Sequence, residues 1–127
     1  MKYWYKISKD NNIIFLNCKG KIKVHEFSKP LNDIISDPLF EKGMNTIADI
    51  TKAEVVMGYE ELIQFREYVK TIQDIRGPCK WAVITKKSTS YRMIKKYSTI
   101  SKNLTIKTKV FSKYKDAIEW ILSGSLN

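Results

Sequence analysis

The sequence has very few of the residues on which metal sites and most catalytic sites depend. It contains one histidine, His25, and two cysteines, Cys18 and Cys79, whose spacing does not suit a metal ion. Its five glycines stand singly, so no glycine-rich loop can hold a phosphate. The common nucleotide-binding, hydrolase and zinc-protease motifs are missing as well. We therefore expect a protein with no metal, no cofactor and no enzymatic activity.

Long apolar segments are also missing. No run approaches the roughly 18 apolar residues that a transmembrane helix needs, and the first ten residues, MKYWYKISKD, lack the apolar core of a signal peptide. Both cysteines stand in apolar contexts, which predicts reduced and buried thiols. These features favour one cytoplasmic domain that spans residues 1–127.

Acidic residues are nearly absent from the second part of the chain. Residues 1–74 carry eleven basic and eleven acidic residues, whereas residues 75–127 carry twelve basic and two acidic ones, which is the whole net charge of +10. A surface of this kind can attract an anionic partner, although lysines on a protein surface are commonly only solvated. Arginine, which binds phosphates and bases in a bidentate manner, occurs three times, and its scarcity disfavours nucleic acid as a partner. The candidate basic surface consists of Arg92, Lys95, Lys96 and Lys102.

The first part of the chain reads as a β-hairpin. Residues 3–9 and 13–19 are rich in aromatic and β-branched residues, and the DNN segment between them is typical of a tight turn. Gly20 is expected to end the second strand. Tyr3, Trp4 and Tyr5 stand in a row, so one face of the first strand would expose an aromatic side chain unless something covers it. An exposed Tyr or Trp on the hairpin would also suit a homodimer.

After the hairpin, helical and strand-like patterns alternate. A helix is expected to begin near Glu26 or Phe27, or to kink at Pro30. The segment NTIADI, residues 45–50, then reads as a buried strand, followed by a loop up to residue 58. A helix of about 16 residues follows and ends at Gly77 and Pro78. CKWAVIT is the next strand, Ser88 or Thr89 can cap the third helix, TIKTKVF forms the last strand, and a fourth helix closes the chain.

The order ββαβαβαβα predicts an α/β fold with a largely parallel sheet and one antiparallel hairpin strand. The residues expected to face the core are Val24, Phe27, Leu31, Ile34 and Ile35 in the first helix, Leu62, Phe65, Val69, Ile72 and Ile75 in the second, Tyr91, Ile94, Tyr97 and Ile100 in the third, and Ala117, Ile118, Ile121 and Leu122 in the fourth.

The stretch from Asp49 to Tyr59 is the main candidate site. Ligand sites in open α/β sheets lie at the carboxyl ends of strands, where Asp49 is predicted to be. The alternative is that Asp49 only bonds the amides of the following loop. Glu60 and Glu61, in the first turn of the next helix, would complement its dipole. The candidate interaction loop consists of Asp49, Thr51, Lys52, Gly58 and Tyr59.

The hairpin, the segment KGKIKVHEFSKPLNDIISDPLFEKGMNTIADITKA, the strand KWAVIT and the closing KVFSKYKDAIEWIL together resemble the STAS / SpoIIAA-like family, in particular its stand-alone STAS/SEC14-like branch. The resemblance implies a βα superhelical fold with a mixed sheet of about five strands. In the anti-sigma antagonist branch it also implies an Asp followed by a phosphorylatable Ser or Thr at the start of the second helix. These positions fall on Met57 and Gly58, so the resemblance implies a regulatory or protein-interaction module without the phospho-acceptor.

A second hypothesis comes from the same resemblance, because the SEC14-like relatives carry lipids. Met44, Met57 and Met93 have aromatic neighbours in the sequence and would line an adaptable apolar pocket. A small lipid-like molecule is therefore the alternative to an unidentified protein partner. Methionines at helical spacing are also common in protein cores, so the pattern alone does not separate the two hypotheses.

Overall fold

The computed structural model describes residues 1–124, except for the side chain of Val24. The elements are β1 (Lys2–Ser8), β2 (Ile13–Lys23), a short 3₁₀ helix (Val24–Phe27), α1 (Ser28–Ser36), β3 (Asn45–Val56), α2 (Tyr59–Arg76), β4 (Cys79–Ile84), α3 (Ser88–Ile100), β5 (Ile106–Phe111) and α4 (Tyr114–Leu122). The predicted order ββαβαβαβα and the α/β class are confirmed.

The five strands form one mixed sheet in the order β1-β2-β3-β4-β5, with β1 antiparallel and the others parallel. Because each parallel crossover is expected to be right-handed and each moves one strand in the same direction, α1, α2 and α3 should lie on one side of the sheet. The packing agrees, since all three contribute to the main core cluster. The last helix, α4, packs on the opposite side, against β3, β4 and β5.

Two tyrosines fasten the edge strand β1 to α1. The Tyr3 hydroxyl donates a hydrogen bond to the Asp33 carboxylate, and the Tyr5 hydroxyl donates to Asp37 Oδ2 at 2.9 Å. Burial, and then the hydrogen bond to Asp37, raise the pKa of Tyr5 to about 12. The turn of the hairpin is closed by Asn12, whose φ of 58° is one that asparagine tolerates. The predicted hairpin is therefore confirmed.

Two boundaries differ from the sequence prediction. Gly20 does not end the second strand: it has a φ of 93° within β2, which continues to Lys23. The larger difference concerns β3, which runs to Val56 and pairs with β2 over its second half, so residues 51–56 are not a loop. By contrast, Pro30 lies in the first turn of α1, where its missing N–H is not needed.

Most of the predicted core positions are buried or partly buried, with two exceptions. Ile75 is 51% exposed and Leu122 is 69% exposed, because each lies at the last turn of its helix and points away from the sheet. Trp120 is buried in α4 instead. The predicted core position of Val24 lies outside the described side chains. Ser88 is the first residue of α3, whose N-cap is Lys87, and no side-chain cap is present there.

Two basic side chains are buried in the fold. The Arg76 guanidinium lies between the rings of Phe40 and Trp81 and donates from Nη2 to the Met44 carbonyl at 3.1 Å and to Thr46 Oγ1 at 2.7 Å. Burial lowers the pKa of Arg76. This residue therefore joins the end of α2 to the start of β3 from within the core.

Lys80 extends from β4 to the carboxyl end of α4. Its ammonium donates to the carbonyls of Trp120 and Ser123, each at 2.7 Å, and burial lowers its pKa. The Trp120 carbonyl also accepts hydrogen bonds from the Ser123 N–H and hydroxyl. Lys80 therefore joins β4 to the carboxyl end of α4 and helps to hold this helix on the sheet.

Candidate functional site

Asp49 stands where β3 loses β4 as its neighbour, and it stabilises a β-bulge. Its Oδ1 accepts hydrogen bonds from the Thr51 N–H at 2.9 Å and from the Thr51 hydroxyl at 2.7 Å. Asn17 lies beside Asp49 and Lys19 beside Lys52, so β3 holds one residue more than β2 at this point. The structure therefore shows the local role predicted for Asp49, in which its carboxylate accepts hydrogen bonds from the residues that follow it.

The five residues expected to form one interaction loop fall in two places. Ile47 packs with α4, and strand alternation puts Asp49 on that same side of the sheet. Burial, and then the charge of Asp49, raise the pKa of Tyr114 at the start of α4. Gly58 and Tyr59, in contrast, begin α2 on the opposite side of the sheet. Lys52 is exposed on β3, in the segment that was expected to be a loop.

Tyr59 lies next to part of the predicted basic surface. Lys96 Nζ is 6.0 Å from the centroid of the Tyr59 ring, which is 55% exposed. Arg92, Lys95 and Lys96 line a shallow groove on the outer face of α3. We call Tyr59, Arg92, Lys95 and Lys96 the Tyr59 surface. It joins residues from two sequence segments that were considered separately.

Lys102 does not belong to this surface. It follows the end of α3 and lines a different groove, at the free edge of β5, together with Lys107 and Lys109. Its carbonyl accepts a hydrogen bond from Lys107 Nζ at 2.7 Å. The structure therefore divides the four predicted basic residues into a group of three and a separate lysine.

The two positions that the family resemblance assigns to a phospho-switch have no hydroxyl group. Met57 is buried, at 7% exposure, and its side chain packs in the main core. Gly58 is the N-cap of α2, and its N–H donates to Glu61 Oε1 at 3.2 Å. Glu60 and Glu61 lie in the first turn, as predicted, where carboxylates complement the helix dipole.

An apolar cavity lies between the sheet and the helices α1, α2 and α3. Its volume is about 60 Å³, and its wall includes Met57, Leu62, Phe65, Trp81, Ile94 and Tyr97, with no polar atom exposed to it. Burial raises the pKa of the Tyr97 hydroxyl. Of the three methionines that were expected to line a pocket, only Met57 does so. Met44 packs in a separate small cluster, and Met93 faces the groove on α3.

Residues 1–124 contain neither a candidate metal-binding cluster nor a helix that could span a membrane. Within them, no three histidine, cysteine or acidic side chains are grouped so that they could hold a metal ion. None of the helices in this range combines the length and hydrophobicity that a bilayer crossing requires. His25 is exposed in the 3₁₀ helix, and both cysteines are buried free thiols.

Comparisons with known proteins give one informative result. No protein-family model and no curated protein matches the chain. Among solved structures, it is similar to an uncharacterised protein of the DUF3478 family from Shewanella loihica PV-4, described as having a SpoIIAA-like fold. The two share 12% sequence identity over 94% of this chain and 92% of that one, with a TM-score of 0.59. The chain has a SpoIIAA-like fold.

The SpoIIAA-like fold explains the position of the main features. It places the start of α2 beside α3, which brings Tyr59 to Lys96. It also leaves β1 and β2 with helices on one side only, apart from the edge of α4.

The residues that sequence reasoning missed are the strand residues of β1, β2 and β3 on the α4 side, whose common face depends on strand pairing. The alternation of charged and apolar residues from Lys52 to Val55 was the available signal for the longer β3.

Proposed function

We propose that the protein is a cytoplasmic, non-enzymatic interaction module that binds a protein partner through the Tyr59 surface. One observation supports this above the others: the exposed Tyr59 ring lies beside Lys96, which shares a groove on α3 with the exposed Arg92 and Lys95. Tyrosine and arginine are enriched among the side chains that dominate binding energy in protein interfaces.

The chemistry of the Tyr59 surface defines the partner that it fits. The ring offers an apolar contact, and the lysines and Arg92 favour a partner that places carboxylates around an apolar side chain. Because the family resemblance assigns the position of the phospho-acceptor to Gly58, which has no hydroxyl group, we propose recognition that does not depend on a phosphate there.

The proposal is tested by affinity capture from the native cell with quantitative mass spectrometry. Tyr59→Ser and Lys96→Glu are compared with the wild-type protein and with Lys115→Glu, a control with the same charge change at an exposed position on α4. We expect a protein that wild type and the control retain and that both surface variants lose. Equal capture by all four proteins would show that the Tyr59 surface is not the binding site.

The cavity supports a second candidate, the binding of a small apolar molecule. Its wall is wholly apolar, but about 60 Å³ is far below the roughly 300–1,000 Å³ of sites for drug-sized ligands. A ligand of only a few heavy atoms fits without movement of the surrounding helices, and a lipid chain does not.

Native mass spectrometry after mild lysis tests this second candidate. Ala48 also lines the cavity, so Ala48→Leu would fill part of it and should reduce the amount of a bound molecule. A bound species that is present in wild type and depleted in Ala48→Leu would support ligand binding. Recovery of bare wild-type protein from repeated preparations would count against it.

A further inference from the structure

The side of the sheet that faces α4 is covered only in part. Within residues 1–124, α4 packs on β3, β4 and β5, and its apolar cluster reaches β2 through Ile13 and Phe15 near the start of that strand. On β1, the same side carries Trp4, which is 52% exposed, while Tyr3 and Tyr5 point to the α1 side. A large aromatic side chain is therefore presented on an open sheet surface.

Strand pairing collects basic residues around Trp4. Residues opposite each other in paired strands share one face of the sheet. One row holds Trp4 and Asn17, and the next row, toward the end of β2, holds Lys2, Lys19 and Lys52. The surface, which we call the Trp4 face, consists of Lys2, Trp4, Lys6, Asn17, Lys19, Lys21 and Lys52.

The Trp4 face carries a local excess of positive charge. All five of its lysines are exposed. The carboxylates on this side of β3 are Glu54, beside Lys21, and Asp49, which is engaged by Thr51. Alternate residues of a strand are separated by roughly 6.6 Å, so the lysines form an extended array of point charges.

A second exposed aromatic residue lies near the same surface. Tyr114, at the start of α4, is 48% exposed, and α4 packs on the same side of the sheet as Asp49. Burial, and then the charge of Asp49, raise the pKa of this phenol. Asp49 stands in the same row as Trp4 and Asn17. Aromatic rings and amide groups set among lysines on an open surface are the elements with which proteins bind single strands, by stacking bases and neutralising phosphates.

We propose that the Trp4 face binds single-stranded nucleic acid, with a base stacked on the Trp4 indole and phosphates held by the surrounding lysines. A bilayer fits this surface less well, because the exposed residues around Trp4 are polar or charged and insertion would bury one ring. The scarcity of arginine, from which the sequence analysis disfavours nucleic acid as a partner, argues only against the recognition of particular bases. Lysines suffice for binding that does not depend on base sequence.

The test uses fluorescein-labelled single-stranded oligo(U) and oligo(dT) and a duplex of equal length, measured by fluorescence anisotropy at low and moderate salt. We expect one or both single strands to bind more tightly than the duplex, with an affinity that falls as salt rises. Trp81 and Trp120 are 6% and 7% exposed. Quenching of tryptophan fluorescence by an unlabelled strand therefore reports mainly on Trp4.

Trp4→Ala should weaken binding roughly 5- to 150-fold and abolish the quenching, since one stacked base contributes about 1–3 kcal/mol. Trp4→Phe retains a stacking surface and should keep most of the affinity. The double variant Lys19→Glu and Lys21→Glu should lower both the affinity and its salt dependence. The double variant Lys29→Glu and Lys95→Glu, at exposed positions on α1 and α3 across the sheet, makes the same charge change and should bind as wild type.

Three results would overturn the proposal: equal affinities for Trp4→Ala and wild type, equal binding of duplex and single strand, or Trp4-dependent binding to phosphatidylserine vesicles but not to oligonucleotides. Thermal melting of each variant separates loss of binding from loss of folding. The proposal does not rest on the Tyr59 surface, whose variants are assayed with a protein partner.

Discussion

The second half of β3 is stabilised by a hydrogen bond that a single substitution can remove. β4 pairs with β3 only from Thr46 to Asp49, so beyond that point β3 has no strand on this side. The fully buried Ser90 of α3 fills this role at one position, where its Oγ accepts a hydrogen bond from the Val55 N–H at 3.2 Å. We predict that Ser90→Ala destabilises the fold through this amide.

The size of the effect follows from two opposing contributions. A buried N–H left without an acceptor costs about 1–3 kcal/mol. Alanine is a better helix former than serine and returns about 0.5 kcal/mol. The free energy of unfolding should therefore fall by about 0.5–2.5 kcal/mol, which for a chain of this size lowers the Tm by roughly 2–10 °C.

Urea unfolding measures the global effect, and amide hydrogen exchange measures the local one. In Ser90→Ala, exchange of the Val55 amide should accelerate more than that of amides in the centre of the sheet. Thr89→Ala, at the neighbouring exposed position, is the matched control and should leave both measurements within about 0.5 kcal/mol of wild type. If Ser90→Ala matches this control and Val55 exchange is unchanged, the hydrogen bond does not fix the end of β3.

Three further predictions address other parts of the fold. Gly77→Ala should lower the free energy of unfolding by roughly 1–3 kcal/mol, because Gly77 has a φ of 73° and an added Cβ would lie 2.7 Å from a neighbouring side chain; Gly58→Ala, which meets nothing closer than 3.6 Å, is the control for urea unfolding. Lys80→Met should lower the free energy of unfolding by roughly 1–3 kcal/mol, since the charge-assisted hydrogen bonds from the ammonium to the Trp120 and Ser123 carbonyls are lost. Tryptophan emission during unfolding should then show early release of α4. Burial raises the pKa of Cys18 to about 12 from 9.0. The contribution of the protonated thiol to stability is therefore complete below about pH 9 and is lost as the pH rises toward 12. Unfolding should require less urea at about pH 10.5 than at pH 8, and this difference should shrink in Cys18→Ala.

The element order could be predicted because each element carries its own periodic signal. The helix Tyr59–Arg76 repeats apolar residues at three or four positions, and it ends at Gly77, whose positive φ no other residue adopts easily. The end of β3 was missed although residues 51–56 alternate between buried and exposed. The segment contains charged residues and follows a bulge, and a bulge reverses the phase of the alternation. If the bulge is not taken into account, the strand pattern of β3 therefore ends at Ile50.

The candidate site could be predicted only in pieces, because its geometry depends on contacts between distant segments. Tyr59 and Lys96 belong to different helices, and the sequence contains no signal that the start of α2 lies against α3. The hydrogen bonds from Thr51 to Asp49 were one of the two predicted alternatives for Asp49. They could be predicted because they join residues only two positions apart. Local interactions were thus predictable in kind, and the surfaces built from several elements were not.

Charge shows the same limit most clearly. The first 74 residues have no net charge, which directs attention to the second part of the chain as the only basic region. Strand alternation nevertheless puts Lys19 and Lys21 on one face of β2, and pairing adds Lys2 and Lys52 beside them. Several acidic residues of the same part, such as Glu67, lie on helices across the sheet, and two, Asp49 and Glu54, stand on the side of the Trp4 face. An average over sequence cannot detect this separation, because the electrostatic potential that a partner meets is set by the neighbours in space. The Trp4 face is therefore a basic surface in the part of the chain whose charges cancel.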